Sequence, residues 1–353
     1  PPPAPAAPIR PFFRLGILLK KNLKWFDDFI FCNSGSESIM RAFRIARSFK
    51  NKPKIAILSS FWHGGYDGTQ IKNNYQYEKH ISSSGINEEH IKNLILLPNN
   101  NIEKCIDILN KHKDELAMVF FEPVQQIVPH INKNLIKTLR EYTKNNNILL
   151  GFDEMITGFR LSVGGAQEYF DIYADIACYG KIIGGGFPIG VVGYTKEIKE
   201  HINNAEPPIR FGGTFSGNPL SMFSGNLVLK YLIQNKNTLY KKINDLTKDL
   251  CEDINLFCEK YNHPIRLCYV GSFYRTIFTN KHIFSMEERD KNEMSKELQK
   301  EFFGILKSRG LLVASNPLAF ISELHTKSDI DKIKDIYKKS IRIFFEPKPF
   351  VDF

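Results

Sequence analysis

The chain has 353 residues, enough for one large domain with a smaller one attached. Hydrophobic residues make up 42% and charged residues 24%, which excludes a disordered chain, and no apolar run is long enough to cross a membrane as a helix. The net charge of +10 comes from dispersed lysines, such as Lys332, Lys334, Lys338 and Lys339, and reads as solvated helix faces rather than a nucleic-acid patch.

The 6 cysteines form no Cys-x-x-Cys pair and no Cys/His cluster at zinc spacing, so free thiols in a reducing, cytoplasmic compartment are expected and no metal site is. The first residues lack the basic start and apolar core of a signal peptide. Residues 1–8 are all Pro or Ala, and residues 1–11 read as a leader outside the fold.

Residues 17–23 and 26–31 follow as helix and strand. Asn33-Ser34-Gly35-Ser36-Glu37 opens the next helix, because Ser34 and Glu37 have capping-box spacing. Ile39, Phe43 and Ala46 share one face of it, with the arginines mostly opposite. Free N–H groups at such a helix start, reached beside a glycine, suit a phosphate. An ordinary capped helix is the plainer reading of the same residues. Residues 54–59 read as a strand running into Phe61-Trp62-His63-Gly64-Gly65-Tyr66-Asp67-Gly68. A Trp in that loop can stack on a heteroaromatic ring or simply pack as core.

Residues 70–92 are polar and read as loop. Residues 94–97 and 117–121 read as strands around a helix at 102–109, and Pro123 stops the second strand with Glu122 at its carboxyl end. A helix at about 134–144 leads to an apolar strand ending in Asp153 and Glu154. A further apolar run, 176–179, precedes Lys181 and the triplet Gly184-Gly185-Gly186. Alternating strands and helices over 30–195 predict one α/β, doubly wound, mostly parallel sheet.

In such sheets ligands sit at the carboxyl ends of strands, where Glu122, Asp153 and Lys181 all fall. A buried acid there needs a cation or donor partner, unless it caps the next turn. A partly desolvated lysine has a lowered pKa and can attack a carbonyl to form a Schiff base; alone, a surface lysine before a glycine turn is the plainer reading.

Gly212-Gly213-Thr214-Phe215-Ser216-Gly217-Asn218-Pro219 precedes a helix at 220–232 that continues as an amphipathic pattern through 239–257. Residues 264–341 read as strands at 265–269 and 273–278, a charged helix to about 308, a strand at 311–314, and a last helix with Ile330, Ile333, Tyr337 and Ile341 on one face. The expected division is a large domain at 12–235 and, at 236–353, a connecting helix with a small α+β domain.

Together these stretches resemble the class III aminotransferases, the fold-type I enzymes that use pyridoxal phosphate (PLP). The resemblance is strongest to the branch containing glutamate-1-semialdehyde aminomutase. NSGSESIMRAFRIAR at 33–47, FWHGGYDG at 61–68, FEPV at 121–124, FDEMITGFRLSVGGAQ at 152–167, YGKIIGGGFPIG at 179–190 and GGTFSGNP at 212–219 carry it, in family order, with weaker similarity to about residue 341.

The resemblance implies that Lys181 forms the Schiff base with PLP and then moves a proton as acid and base. It implies that Asp153 pairs with the pyridinium nitrogen and keeps the ring an electron sink. Trp62 and Met155 would lie on the two faces of the ring, where the family more often has Tyr or Phe and Val. Gly35 and Ser36 would hold the phosphate, and Thr214 would reach the phosphate of the neighbouring subunit in a homodimer. Glu122 would stand near the ring as a supporting acid, and His63 would be among the cofactor-binding residues.

Three departures shape the functional expectation. Family members carry a substantial segment before NSGSES, and little precedes it here, which reads as a fragment, an excised domain or a degenerate copy. The aminomutase branch has a glutamate shortly before its Ser-x-x-His stretch; residues 315–325 hold no acid at that place. Gln125-Gln126 follows FEPV where the aminomutases have Gly-Asn, as in aminotransferase domains of biosynthetic assembly lines.

The expected activity is therefore transamination between a small-molecule amino donor and a carbonyl acceptor, free or bound to a carrier protein, with no nucleic acid or membrane as partner. An aminomutase and a non-catalytic interaction module are the alternatives.

Overall fold

In the computed structural model, residues 9–59, 62–73, 79–313 and 317–346 are described. The chain divides into two compact units, one of residues 1–123 and 132–236, the other of residues 124–131 and 237–353.

The first unit runs α1 (Ile9–Asn22), β1 (Asp28–Cys32), α2 (Gly35–Lys50), β2 (Lys54–Leu58), β3 (Ile71–Asn73), β4 (Lys79–Ile81), α3 (Glu88–Ile91), β5 (Leu94–Leu97), α4 (Ile102–His112), β6 (Leu116–Phe121), α5 (Lys133–Asn145), β7 (Leu149–Asp153), α6 (Gly165–Phe170), β8 (Ile176–Gly180), β9 (Gly190–Tyr194) and α7 (Lys196–Asn204), then enters α8 (Pro219–Lys260). Seven strands form one sheet in the order β1-β9-β8-β7-β6-β2-β5. Pairing is parallel from β8 to β5, and β9 runs antiparallel to both of its neighbours. Every residue of β6, β7 and β8 is buried, as strands covered on both faces require. Ile39, Phe43 and Ala46 of α2 pack with Ile57, Met118, Phe120 and Cys178, so the expected face of that helix is its core face. Burying a Phe of this kind contributes roughly 1.5–3 kcal/mol.

The register sets the site. Phe121 of β6 pairs with Phe152 of β7, and Asp153 pairs with Cys178 of β8. Glu122, Asp153 and Lys181 therefore leave the sheet from three adjacent strands at one edge.

The second unit holds the rest of α8 and a three-stranded antiparallel sheet of β10 (Arg266–Val270), β11 (Phe273–Ile277) and β12 (Leu318–Phe320). Helices α9 (Met286–Asn292), α10 (Lys296–Ser308) and α11 (Lys327–Phe345) complete it. Leu250, Ile254, Phe278, Phe302, Tyr337 and Ile341 form its core, and Lys327 and Lys334 of α11 both pair with Asp249 of α8.

Four expectations change. Helix α1 begins at Ile9, inside the leader set at 1–11; residues 1–8 lie outside the described residues. The polar stretch 70–92 contains the β3–β4 hairpin and α3, because Asn87 caps the short helix through Glu89 N–H. The strand set at 311–314 is absent over 311–313, where Leu312 is 83% exposed directly after the turn at Gly310; residue 314 is outside the described residues. The strand that pairs with β11 is β12. Finally, Arg41 does not face solvent with the other arginines of α2: it is fully buried, with two backbone carbonyls and a hydroxyl accepting from its Nη1 and Nη2.

Candidate functional site

At the start of α2, Ser34 sits in extended backbone and accepts a hydrogen bond from Glu37 N–H, and the helix begins at Gly35. The Glu37 carboxylate reaches back to Asn33 N–H at 3.1 Å, one residue beyond the reciprocal partner of a capping box. Ser36 Oγ accepts from Gly65 N–H at 2.8 Å, so the loop after β2 lies against this helix start.

At the end of β7, Asp153 is 2% exposed. Its Oδ1 accepts from Met155 N–H at 3.0 Å and its Oδ2 lies 2.7 Å from His63 Nδ1. A carboxylate only accepts, so Nδ1 is the protonated ring nitrogen of that pair. His63 is itself buried, edge-on to Phe120 with ring centroids 5.0 Å apart. Glu122, also buried, completes a trio whose ligand atoms all lie within 4.8 Å of one another. Two buried acids beside one imidazole make a polar floor able to receive a cation. A divalent metal or a protonated nitrogen heterocycle would each answer it.

Met155 links two walls. Its Sδ lies 2.7 Å from where a Cβ on Gly35 would stand and 2.8 Å from that of Gly180, so only glycine fits at either place without moving the sulfur. Lys181 follows Gly180 with φ of +50°, a left-handed backbone that costs a non-glycine residue of order 1–3 kcal/mol. Met155 thus lies against the positions of both Gly180 and Gly35, and the loop carrying His63 and Gly65 touches Asp153 through one and Ser36 through the other.

The predicted site residues differ in exposure. Lys181 is exposed, not desolvated, because the glycines behind it carry no side chains to cover it. His63 is buried against Asp153. Trp62 is 57% exposed, and Thr214 is exposed on the loop before α8. Phe61, Ser315 and Asn316 lie outside the described residues.

Sequence reasoning noticed Glu154 only as a second acid. It is fully buried, accepting from Thr157 Oγ1 and from Ala166 and Gln167 N–H, and burial pushes its carboxyl up to about 7 against those three donors. Gln167, which carried no signal as a site residue, donates to the Tyr179 hydroxyl at 2.7 Å, two residues before Lys181.

Comparison with known proteins agrees with this architecture. The profile of the family "Aminotransferase class-III" matches residues 7–340. The chain belongs to the class-III aminotransferases.

It is 35% identical over 308 residues to the glutamate-1-semialdehyde 2,1-aminomutase of Methanocaldococcus jannaschii, a match covering 86% of this chain and 71% of that one. Among solved structures, an omega-transaminase from Sphaerobacter thermophilus has a TM-score of 0.84 at 23% identity, covering 96% of this chain and 79% of that one. A transaminase with PLP bound has a TM-score of 0.85 at 23% identity, covering 96% and 78%. The cofactor is pyridoxal 5'-phosphate. The residues present fit it: a polar floor for a protonated ring nitrogen, a helix start for a phosphate, and an amine at the neighbouring strand end.

Proposed function

We propose that this chain is a PLP-dependent transaminase that moves an amino group from a small-molecule donor to a carbonyl acceptor. The observation that carries the reading is the single edge at which Asp153, the start of α2 and Lys181 meet. When bound, PLP supplies an electron sink beside the amine-bearing carbon.

Asp153 would hold the ring nitrogen, with His63 Nδ1–H and Met155 N–H keeping its carboxylate oriented. Glu122 would be the second acid of the same floor. Gly35 and Ser36 would hold the phosphate at the helix start, and Met155 and Trp62 would flank the ring. The Lys181 amine would anchor the cofactor and afterwards carry the proton taken from the substrate carbon. Lys181 is exposed in a single chain, and in the assembled enzyme a second surface would cover it.

A homodimer supplies that cover in this reading. Leu220, Phe223, Leu227 and Tyr231 recur every three or four residues on α8 and are 64%, 57%, 52% and 42% exposed, an apolar stripe that supports a protein partner. Thr214 would then serve the neighbouring subunit's phosphate. No described helix is long and apolar enough to cross a membrane.

The second reading, an aminomutase that shifts the amine between neighbouring carbons, is supported by the name of the M. jannaschii relative. The two differ in their need for a donor. Purified protein is loaded with PLP, reduced with borohydride and mapped; a pyridoxyl mark on Lys181, lost in Lys181→Ala, is expected. Turnover that requires a separate amino donor supports the transaminase. Turnover of a single amino-aldehyde without donor supports the aminomutase. An unmarked Lys181 would remove both.

A further inference from the structure

Helix α2 has two working ends. Its first turn carries Gly35 and Ser36. Farther along, two arginines grip the segment 210–216. Arg44 Nη1 donates to the Arg210 carbonyl at 2.6 Å. Arg41 donates through Nη1 to the Phe31 carbonyl at 2.8 Å, and through Nη2 to the Gly212 carbonyl and to Ser216 Oγ, the latter at 3.1 Å. Arg41 is 2% exposed, and the nearest carboxylate, Glu37, lies 3.6 Å away.

A guanidinium is costly to bury and persists inside a fold only where its planar fork of donors is taken up. Here Nη1 and Nη2 are spent on the Phe31 carbonyl of β1 and on one exposed loop, while the buried Nε has no hydrogen-bond partner among the described residues. Its two anchors in that loop, Gly212 and Ser216, each stand two residues from Thr214. A buried, rigid clamp on both sides of an exposed threonine fixes where that hydroxyl is presented.

We propose that Arg41 is a positioning residue for cofactor binding across the subunit interface: it holds the loop that presents Thr214 to the neighbouring site. The proposal rests on the shared-site reading above. Arg41 touches neither cofactor nor substrate, so its effect is on PLP affinity in the other subunit and not on its own. Arg44, gripping the same segment from one turn farther along, supports the loop more weakly because it is exposed.

The test is PLP titration of the apo-protein, scored by borohydride labelling at Lys181, with the apo melting temperature recorded alongside. Arg41→Lys keeps the charge but lacks the fork, and should weaken PLP binding about tenfold. In a Thr214→Val background Arg41→Lys should cause no further loss, since both act through one hydroxyl.

Mixed dimers decide the direction. In a dimer of one Arg41→Lys chain and one Lys181→Ala chain, the only Lys181 left receives Thr214 from the chain with intact Arg41. Labelling of that lysine should return to wild-type PLP affinity. Weak labelling there would mean that Arg41 acts on its own site, and wild-type affinity in the Arg41→Lys homodimer would mean that it acts on neither; each overturns the proposal. If Arg41→Lys fails to fold, Ser216→Ala removes one anchor from the loop side and should weaken binding about threefold with an unchanged apo melting temperature. Wild-type affinity in Ser216→Ala also overturns it. If Thr214→Val alone leaves PLP affinity unchanged, the shared-site reading is what has failed, and the proposal falls with it.

Discussion

Asp153 and His63 show how one contact assigns roles to two residues. The 2.7 Å Nδ1–Oδ2 bond is buried at both ends, so the imidazole orients the carboxylate and spends its own proton doing so. Asp153→Asn keeps the acceptor toward Met155 N–H and loses the charge. It should retain PLP while turnover falls about 100-fold or more, the scale seen when one electrostatic partner of a developing charge is removed. Stopped-flow spectra of a single half-reaction would measure it; an unchanged rate would take the ring-nitrogen role away from Asp153.

Glu154 titrates in the opposite sense from a paired surface acid. Burial raises its folded pKa to about 7, above the ordinary value of 4.5. Between those limits the folded chain holds a proton that the unfolded chain has lost, so this residue's contribution to stability falls as pH rises through the window. The full swing is about 3 kcal/mol. Relative to wild type, Glu154→Gln should therefore gain stability from about pH 4.5 to pH 7 and level off above. Denaturant midpoints of both proteins across that range would show it. A difference independent of pH would mean that Glu154 stays ionised throughout.

At the scale of elements, the parts of the site that the sequence revealed are those made by short-range rules. LAMVFF is apolar to its last residue and Glu122 follows it, while LLGFD and IACYG are apolar up to a closing Asp153 and Gly180, so β6, β7 and β8 and the acids at their ends could be located residue by residue. Ser34 and Glu37 marked the start of α2, and Pro219 stands at the first position of α8, where a missing N–H costs nothing. What escaped reading depends on partners far along the chain. Arg41 looked like a surface residue because its loop acceptors are more than 170 residues away. His63 meets Asp153 across 90 residues. Strands β3, β4 and β12 have three residues each, too few for a period of two to declare itself. Lys181 read either as partly desolvated at a buried strand's end or as a surface lysine before a glycine turn; exposure there depends on what covers it, and nothing local encodes that.

For the whole molecule, the question is what covers α8. Leu220, Phe223, Leu227 and Tyr231 lie on one face of a long helix in the first unit, and Phe215 beside them is 72% exposed. A stripe of this kind marks an interaction surface more often than an ordinary face. In a twofold dimer each residue of the stripe occurs twice, so one charge introduced per chain places two in the interface. Phe223→Lys with Leu227→Lys should leave the protomer's own stability within about 0.5 kcal/mol, since both side chains already face solvent in a single chain. Burying each apolar side chain at an interface is worth roughly 1.5–3 kcal/mol, so losing four of them per dimer should move dissociation by several orders of magnitude. Sedimentation equilibrium of the wild type should give twice the chain mass and the variant the mass of one chain. PLP affinity should fall in the variant as well, because a single chain keeps Asp153 and the start of α2 but lacks a neighbour's Thr214. A variant that dissociates yet binds PLP as tightly as wild type would separate the two claims: α8 would be the interface, and each site would be complete within its own chain.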